Sequence, residues 1–212
     1  MSPMAAIPLK QEVHYPESDR RPMGETEVHM RELLDLFATL DQRFRDRSDV
    51  YVGGDILLYY VEGQPRYFVS PDILVTIGIP KRPMRRSYFL WKEGVPPSMV
   101  IEITSESSRR EDLEKKDVYA RIGVAEYFLT DPLGEYLKPP FQGFWLDGGR
   151  YRPIRPEADG SLISEATGLR LTREAGGKLR LSDAVTGERL LRSDEMAEEL
   201  ARLRRKLEGL PD

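Results

Sequence analysis

In the stretch GETEVHMRELLDLFATLDQRFRDR, Met30, Leu33, Leu34, Phe37 and Phe44 recur at helical spacing, with Glu25 and His29 near the start. The spacing predicts an amphipathic helix. The period then shortens. VYVGGDILLYYVEGQPRYFVSPDILVTIGIP is dense in Val, Ile, Tyr and Phe and is broken by EGQP, so strands are expected near 50–52, 55–61 and 72–78. PKRPMRRSYFLWKEGVPP, rich in proline and basic residues, reads as a loop over 79–97 leading to the strand SMVIEITS. A helix from about Arg110 to Ile122 follows, ended by Gly123, and AEYFLTDP makes the next strand. Strand, helix and strand over 98–130 form a βαβ-like crossover, which favours a parallel pair. The class is therefore α/β, a mixed β-sheet core flanked by helices.

Beyond Asp131, FQGFWLDGGRYRPI and GLRLTREAGGKLRLSD are short strand-like pieces cut by glycine and proline, expected as β-hairpins added to the core. The tail predicts a C-terminal helix in which Met196, Leu200, Leu203, Leu207 and Leu210 alternate spacings of four and three, an a/d seam. That seam fits a dimer-forming coiled coil and equally a helix packed on its own domain. The chain divides into a Pro-rich polar extension over 1–24, a main domain over 25–185, and the helix of 186–212, through which a homodimer is open.

A length of 212 residues suits one large domain or a domain with an appendage. Lys and Arg number 32 against 36 Asp and Glu, giving a net charge of -4. This mild acidity leaves a nucleic-acid ligand open, because the clustering of basic residues matters more than their sum. With no cysteine, disulfides, thiol nucleophiles and thiolate zinc sites are excluded, and His14 and His29 are the two histidines. No stretch has the roughly 20 apolar residues of a membrane helix, and the start lacks a signal-peptide pattern, so a cytoplasmic address with no membrane partner is expected. Nor is there a G-x-S-x-G elbow, a P-loop, an H-E-x-x-H motif or a dinucleotide glycine fingerprint.

One position breaks the apolar pattern of SMVIEITS. Met99, Ile101 and Ile103 point to one side of the strand, and Val100, Glu102 and Thr104 to the other. A carboxylate in such surroundings costs several kcal/mol or more unless a cation or hydrogen-bond donors meet it. Asp72 stands in a similar place, after Pro71 at the head of an apolar strand. If the two strands are neighbours, both carboxylates converge at one end of the sheet, where two hard oxygen donors suit magnesium (Mg2+) or manganese (Mn2+). Lys115 and Lys116, on the following helix, are candidates to orient a water or to stabilise charge on a phosphate. The plainer alternatives are an Asp that caps a turn and a Glu that pairs with a helix cation.

Lys81, Arg82, Arg85 and Arg86 form a basic loop suited to a phosphate backbone, with Tyr88 and Trp91 as stacking surfaces. The alternative is a solvated loop whose aromatics pack back on the core. Arg109 and Arg110 open a helix, where backbone N–H groups favour anions, although Ser107 or Ser108 there also suits simple N-capping. His29 lies one turn beyond Glu25, yet a lone helix histidine is a weak indication of a ligand.

SPDILV and VIEIT resemble the first two elements of the PD-(D/E)XK nuclease pattern, while Thr104 stands where the lysine of Glu-x-Lys belongs. VIEITSESS, KKDVYARIGVAEYFLTDP and GEYLKPPFQGF resemble, more specifically, the bacterial Uma-type (Uma-two) restriction-endonuclease-like family, over roughly residues 14–155. That family carries its lysine on the helix, four residues before a tyrosine that corresponds to Tyr119, so the resemblance assigns the role to Lys115. Asp112 precedes Lys115 by three residues where the family spaces four, which keeps Lys116 as a rival. MGETEVHM matches the family's first-helix stretch and points to Glu25 as a further acid, with Glu27 next.

The resemblance implies a restriction-endonuclease-like fold and a metal-dependent endonuclease acting on DNA. Asp72, Glu102 and Glu25 would hold Mg2+ or Mn2+, and Lys115 would place the attacking water. A nuclease-fold module without turnover, binding nucleic acid or a protein, is the alternative. A third is an interaction protein whose Glu102 is merely neutralised by a lysine.

Overall fold

The computed structural model describes residues 13–18, 26–106 and 108–208. The elements run α1 (Glu27–Arg43), β1 (Val50–Gly54), β2 (Leu58–Tyr59), β3 (Phe68–Val69), β4 (Ile73–Ile77), β5 (Tyr88–Phe89), α2 (Leu90–Glu93) and β6 (Met99–Ile103). After these come α3 (Arg109–Ile122), β7 (Glu126–Thr130), β8 (Phe141–Asp147), β9 (Arg150–Pro153), β10 (Leu162–Ser164), β11 (Leu169–Arg173), β12 (Leu179–Asp183) and α4 (Ser193–Glu208).

Six strands form the central sheet in the order β1-β4-β6-β7-β8-β9. Of its pairs only β6 and β7 run parallel, joined by α3 as the crossover predicts. Every residue of β6 and β7 is buried, because both faces of the sheet are covered. On one face Met99, Ile101 and Ile103 meet Leu36, Leu40 and Phe44 from the α1 side and leucines of β10–β12. On the other, Val100 and Leu129 meet Tyr119 of α3 and Leu58 and Tyr88 of a small sheet ordered β3-β2-β5.

Thr26 caps α1 by accepting a hydrogen bond from His29 N at 3.2 Å, which fixes where the helix starts. Gly123 ends α3 in the left-handed conformation (φ 87°) that lacks the usual steric cost for glycine. Ser108, at the head of α3, does not cap it with its side chain. Its hydroxyl donates to Asp112 Oδ2 at 2.8 Å instead, while Ser107 lies outside the described residues.

Three sequence expectations are corrected by packing. The strand expected over 55–61 is only the two residues of β2, set in a separate small sheet. The loop expected over 79–97 contains β5 and α2, because Tyr88 is wholly buried and Leu58 pairs with it in parallel register. The pieces after Asp131 are structural as well as peripheral: Leu162, Leu169, Leu171, Leu179 and Leu181 complete the core on the α1 face. A buried side chain ties the two parts there, with Leu179 N donating to Glu32 Oε1 at 2.6 Å. By contrast α4 buries no residue; Leu200, Leu203 and Leu207 are 50%, 45% and 67% exposed, and Leu210 lies outside the described residues.

Candidate active site

Antiparallel pairing of β4 with β6 sets Ile73 against Ile101, and continuing that register by one residue sets Asp72 against Glu102. Asp72 N donates to Glu102 Oε2 at 3.3 Å, and Ile103 N donates to Asp72 Oδ2 at 2.7 Å. The two acids therefore share one end of the sheet, locked by backbone donors rather than by loop placement.

The positive partner expected for Glu102 arrives from α3. Lys115 Nζ stands 3.1 Å from Glu102 Oε2, donates to Ser70 O at 2.8 Å, and lies 3.7 Å from Asp112 Oδ1. One turn later, Tyr119 OH donates to Glu102 Oε1 at 2.6 Å. Lys116 points elsewhere, its Nζ 3.3 Å from the centroid of the Phe144 ring, and burial lowers its pKa. The geometry brings Lys115, not Lys116, to the acids. From α1, His29 Nε2 reaches Asp72 Oδ2 at 3.3 Å.

The electrostatics are those of a carboxylate-rich, largely buried site. Burial pushes the Glu102 carboxyl well above the usual range; Lys115 and the Tyr119 hydroxyl oppose this, and Asp72 and Asp112 add to it. Burial likewise lifts Asp112 to about 6, with Lys115 and Ser108 opposing. Burial alone would lower the pKa of Lys115, but Glu102, Asp112 and Asp72 outweigh it and hold the ammonium protonated far above neutral pH. Three carboxyl groups thus surround one cation.

Does this donor set fit a divalent ion? Among the described residues no group of three or more His, Asp or Glu side chains is placed to hold a metal. Asp72 and Glu102 nevertheless supply hard oxygens beside an excess of negative charge, and Mg2+ is commonly held by one or two carboxylates with its remaining positions on water. The residues fit an ion of that kind bound by two carboxylates. Glu25 lies outside the described residues. Glu27 is exposed and bonded to Arg31, away from the acids.

The basic residues stand apart from this centre. Lys81 pairs with Asp41 at 3.0 Å, Arg86 pairs with Glu17, and Arg82 is exposed. They border a cleft of about 400 Å³ with Gly53 and Gly54. Arg85 is committed internally, bound through Nε and Nη2 to Glu93 at 2.7 and 2.8 Å and laid over the Tyr51 ring. Tyr88 follows the alternative reading and packs on the core: it is fully buried and its hydroxyl donates to Val95 O. Trp91 packs on Phe89 and Tyr15. Arg109 and Arg110 are exposed at the start of α3, Arg110 paired with Glu114 at 2.8 Å.

Sequence reasoning passed over three residues of the centre. Tyr119 was visible only as a family landmark, although its four-residue offset from Lys115 places both on one helix face. Asp112 carried the same signal at three residues. His29 had only its place one turn beyond Glu25, a weak signal, because its contact with Asp72 crosses from α1 to the sheet.

A family model described as "Uma2: Putative restriction endonuclease" matches residues 12–176. Among solved structures, one described as the crystal structure of a putative nuclease belonging to DUF820 from Anabaena variabilis matches with a TM-score of 0.51 at 16% identity. The match covers 70% of this chain and 79% of that one, and it shows a shared fold. No curated protein matches the chain.

Proposed function

The chain belongs to the Uma2 family, and from that premise we propose that it is a metal-dependent endonuclease hydrolysing DNA phosphodiester bonds at Asp72, Glu102 and Lys115. The observation that carries the reading is Lys115 Nζ at 3.1 Å from Glu102, opposite Asp72 on the neighbouring strand. A bound magnesium or manganese ion would supply Lewis-acid polarisation of the phosphodiester and a water of lowered pKa. Asp72 and Glu102 would hold it, with Glu25 as the third acid. Lys115, kept protonated by its acidic neighbours, serves as a donor and a fixed positive charge toward the phosphate or the attacking water, not as a base. Tyr119 and the backbone of Asp72 fix the Glu102 carboxylate. Lys81, Arg82, Arg86, Arg109 and Arg110 would meet the DNA backbone, with Arg85 bracing the loop.

The nuclease-like domain is taken as 25–185 and α4 as a dimerisation element. Charge complementarity supports a homodimer, since Asp194, Glu195, Glu198 and Glu199 lie in the first half of α4 and Arg202, Arg204, Arg205 and Lys206 in the second. An antiparallel partner would set opposite signs together across the exposed leucines. No helix among the described residues is long and apolar enough to cross a membrane, which fits a cytoplasmic setting.

The test is cleavage of supercoiled plasmid, linear duplex and single-stranded DNA with magnesium or manganese, beside Asp72→Ala and Glu102→Ala. Metal-dependent nicking that disappears in both variants supports the reading. A second reading, a nuclease fold that binds without turnover, draws on Glu102 having both oxygens already engaged by protein donors. Metal that binds without any cleavage would favour it.

A further inference from the structure

A cavity of about 430 Å³ opens beside the acids, reached through His29 and Ile103, the two residues that bond Asp72 Oδ2. Its walls come from separate elements. Thr26 and His29 stand at the start of α1, Thr104 and Ser105 follow β6, and Leu133 and Tyr136 come from the loop after β7.

That loop is built rather than slack. Asp131, fully buried, accepts Gly134 N at 2.8 Å on Oδ1 and both Tyr136 N and Leu137 N on Oδ2, at 2.6 and 2.9 Å. Arg173 clasps the loop from β11 through the carbonyls of Asp131 and Pro132, at 3.2 and 3.1 Å. Gly177 packs against it so closely that a Cβ there would stand 1.8 Å from Pro132 O. The cavity is therefore preformed, and Leu133, 50% exposed, stands on its rim.

The lining decides what can enter. Among the described residues the lining holds no Lys or Arg and its charged member is Glu106, with Asp72 behind it, so these walls offer a phosphate no cation. The Tyr136 ring and Leu133 suit a flat, neutral group that stacks, and the Thr26 hydroxyl, whose oxygen accepts from His29 N, keeps its proton to donate to it. The volume lies within the range of single small-ligand sites, roughly 300–1,000 Å³, and is too confined for a stacked base pair held in a duplex.

We infer that this cavity takes the base of one unpaired nucleotide next to the scissile phosphate, which makes the protein selective for single-stranded or locally opened polynucleotide. The inference rests on the proposed nuclease reading for what happens at the phosphate, but not for binding. A paired base would have to leave its stack to enter, at a cost of a few kcal/mol that an unpaired base avoids.

The test uses the full chain in EDTA and fluorescence anisotropy with labelled single-stranded DNA, single-stranded RNA, a duplex, and a duplex carrying an unpaired bulge. Tighter binding of the single-stranded and bulged probes than of the duplex is expected. Tyr136→Ala should reduce that preference by about 5- to 150-fold, the span of one base–aromatic stack. Leu133→Ala, at an exposed position, should reduce it less and provides a second variant in which the fold is untouched. Cleavage with metal should map to the bond flanking the bulge.

Equal binding of duplex and unpaired probes overturns the inference, as does a Tyr136→Ala variant of unchanged melting temperature that keeps the full preference. A preference that depends on Tyr136 without cleavage of any probe supports the cavity and counts against the nuclease reading, so the two fail separately.

Discussion

Replacing Lys115 by Met keeps the volume of the α3 side chain and removes the cation that, among the described residues, contacts Glu102 and Asp112. Glu102 has no exposure, so the variant leaves a buried carboxylate facing two other acids. Breaking a buried ion pair by removing one partner costs about 3–5 kcal/mol. For a chain of this size that corresponds to a fall in Tm of roughly 6–20 °C. The loss should depend on pH. In the native chain the folded pKa of Glu102 is already raised above its ordinary 4.5, and losing Lys115 raises it further. A carboxyl with a raised folded pKa contributes full stability below its unfolded value and loses it as pH climbs toward the folded one.

The variant has the higher folded pKa, so its deficit relative to the native chain should widen above the native Glu102 pKa. The slope approaches about 1.4 kcal/mol per pH unit for one proton. Thermal and urea denaturation in EDTA from pH 5 to 8 measures this. Lys115→Met combined with Glu102→Gln should recover more than half of the loss. A deficit below about 1 kcal/mol, or one that narrows as pH rises, would refute the reasoning and make Lys115 a solvated lysine.

Tyr119→Phe removes the 2.6 Å donor to Glu102 Oε1 and should cost about 1.5–3 kcal/mol in urea denaturation, as expected for a hydrogen bond to a charged group. Its nuclease activity should fall by less than that of Glu102→Ala. Magnesium or manganese at 100 times its Kd should stabilise the native chain by about 2.7 kcal/mol in a thermal-shift assay, and Asp72→Ala should abolish the rise. Leu203→Asp and Leu207→Asp, at exposed positions of α4, should convert a dimer into a monomer by light scattering while shifting Tm little at low protein concentration. A native chain that is monomeric at every concentration would reject the dimer.

The crossover β6-α3-β7 was legible because a fully covered parallel strand writes itself as an unbroken apolar run, and in that run Glu102 is conspicuous. Its alignment with Asp72 was a conditional reading, since register belongs to the pairing of β4 with β6 and not to either strand alone. The choice between Lys115 and Lys116 could not be made from helical phase, as adjacent residues differ by about 100° and the sequence does not say which side of α3 meets the sheet. Tyr119 and Asp112, turned inward with Lys115, settle that orientation in the fold. The strands β2, β3 and β5 are two residues each, too short to carry a period, and the burial of Tyr88 follows from their mutual pairing.

The central claim is that Lys115, held against Glu102 opposite Asp72, serves phosphodiester hydrolysis. Plasmid nicking by Lys115→Ala and Lys116→Ala, assayed side by side with magnesium or manganese against the native chain, tests it most directly. The account predicts that Lys115→Ala loses about 100-fold or more, the scale of a missing transition-state donor, while Lys116→Ala stays within a few-fold of native. Equal activity in the two variants, or a larger loss in Lys116→Ala, would contradict it.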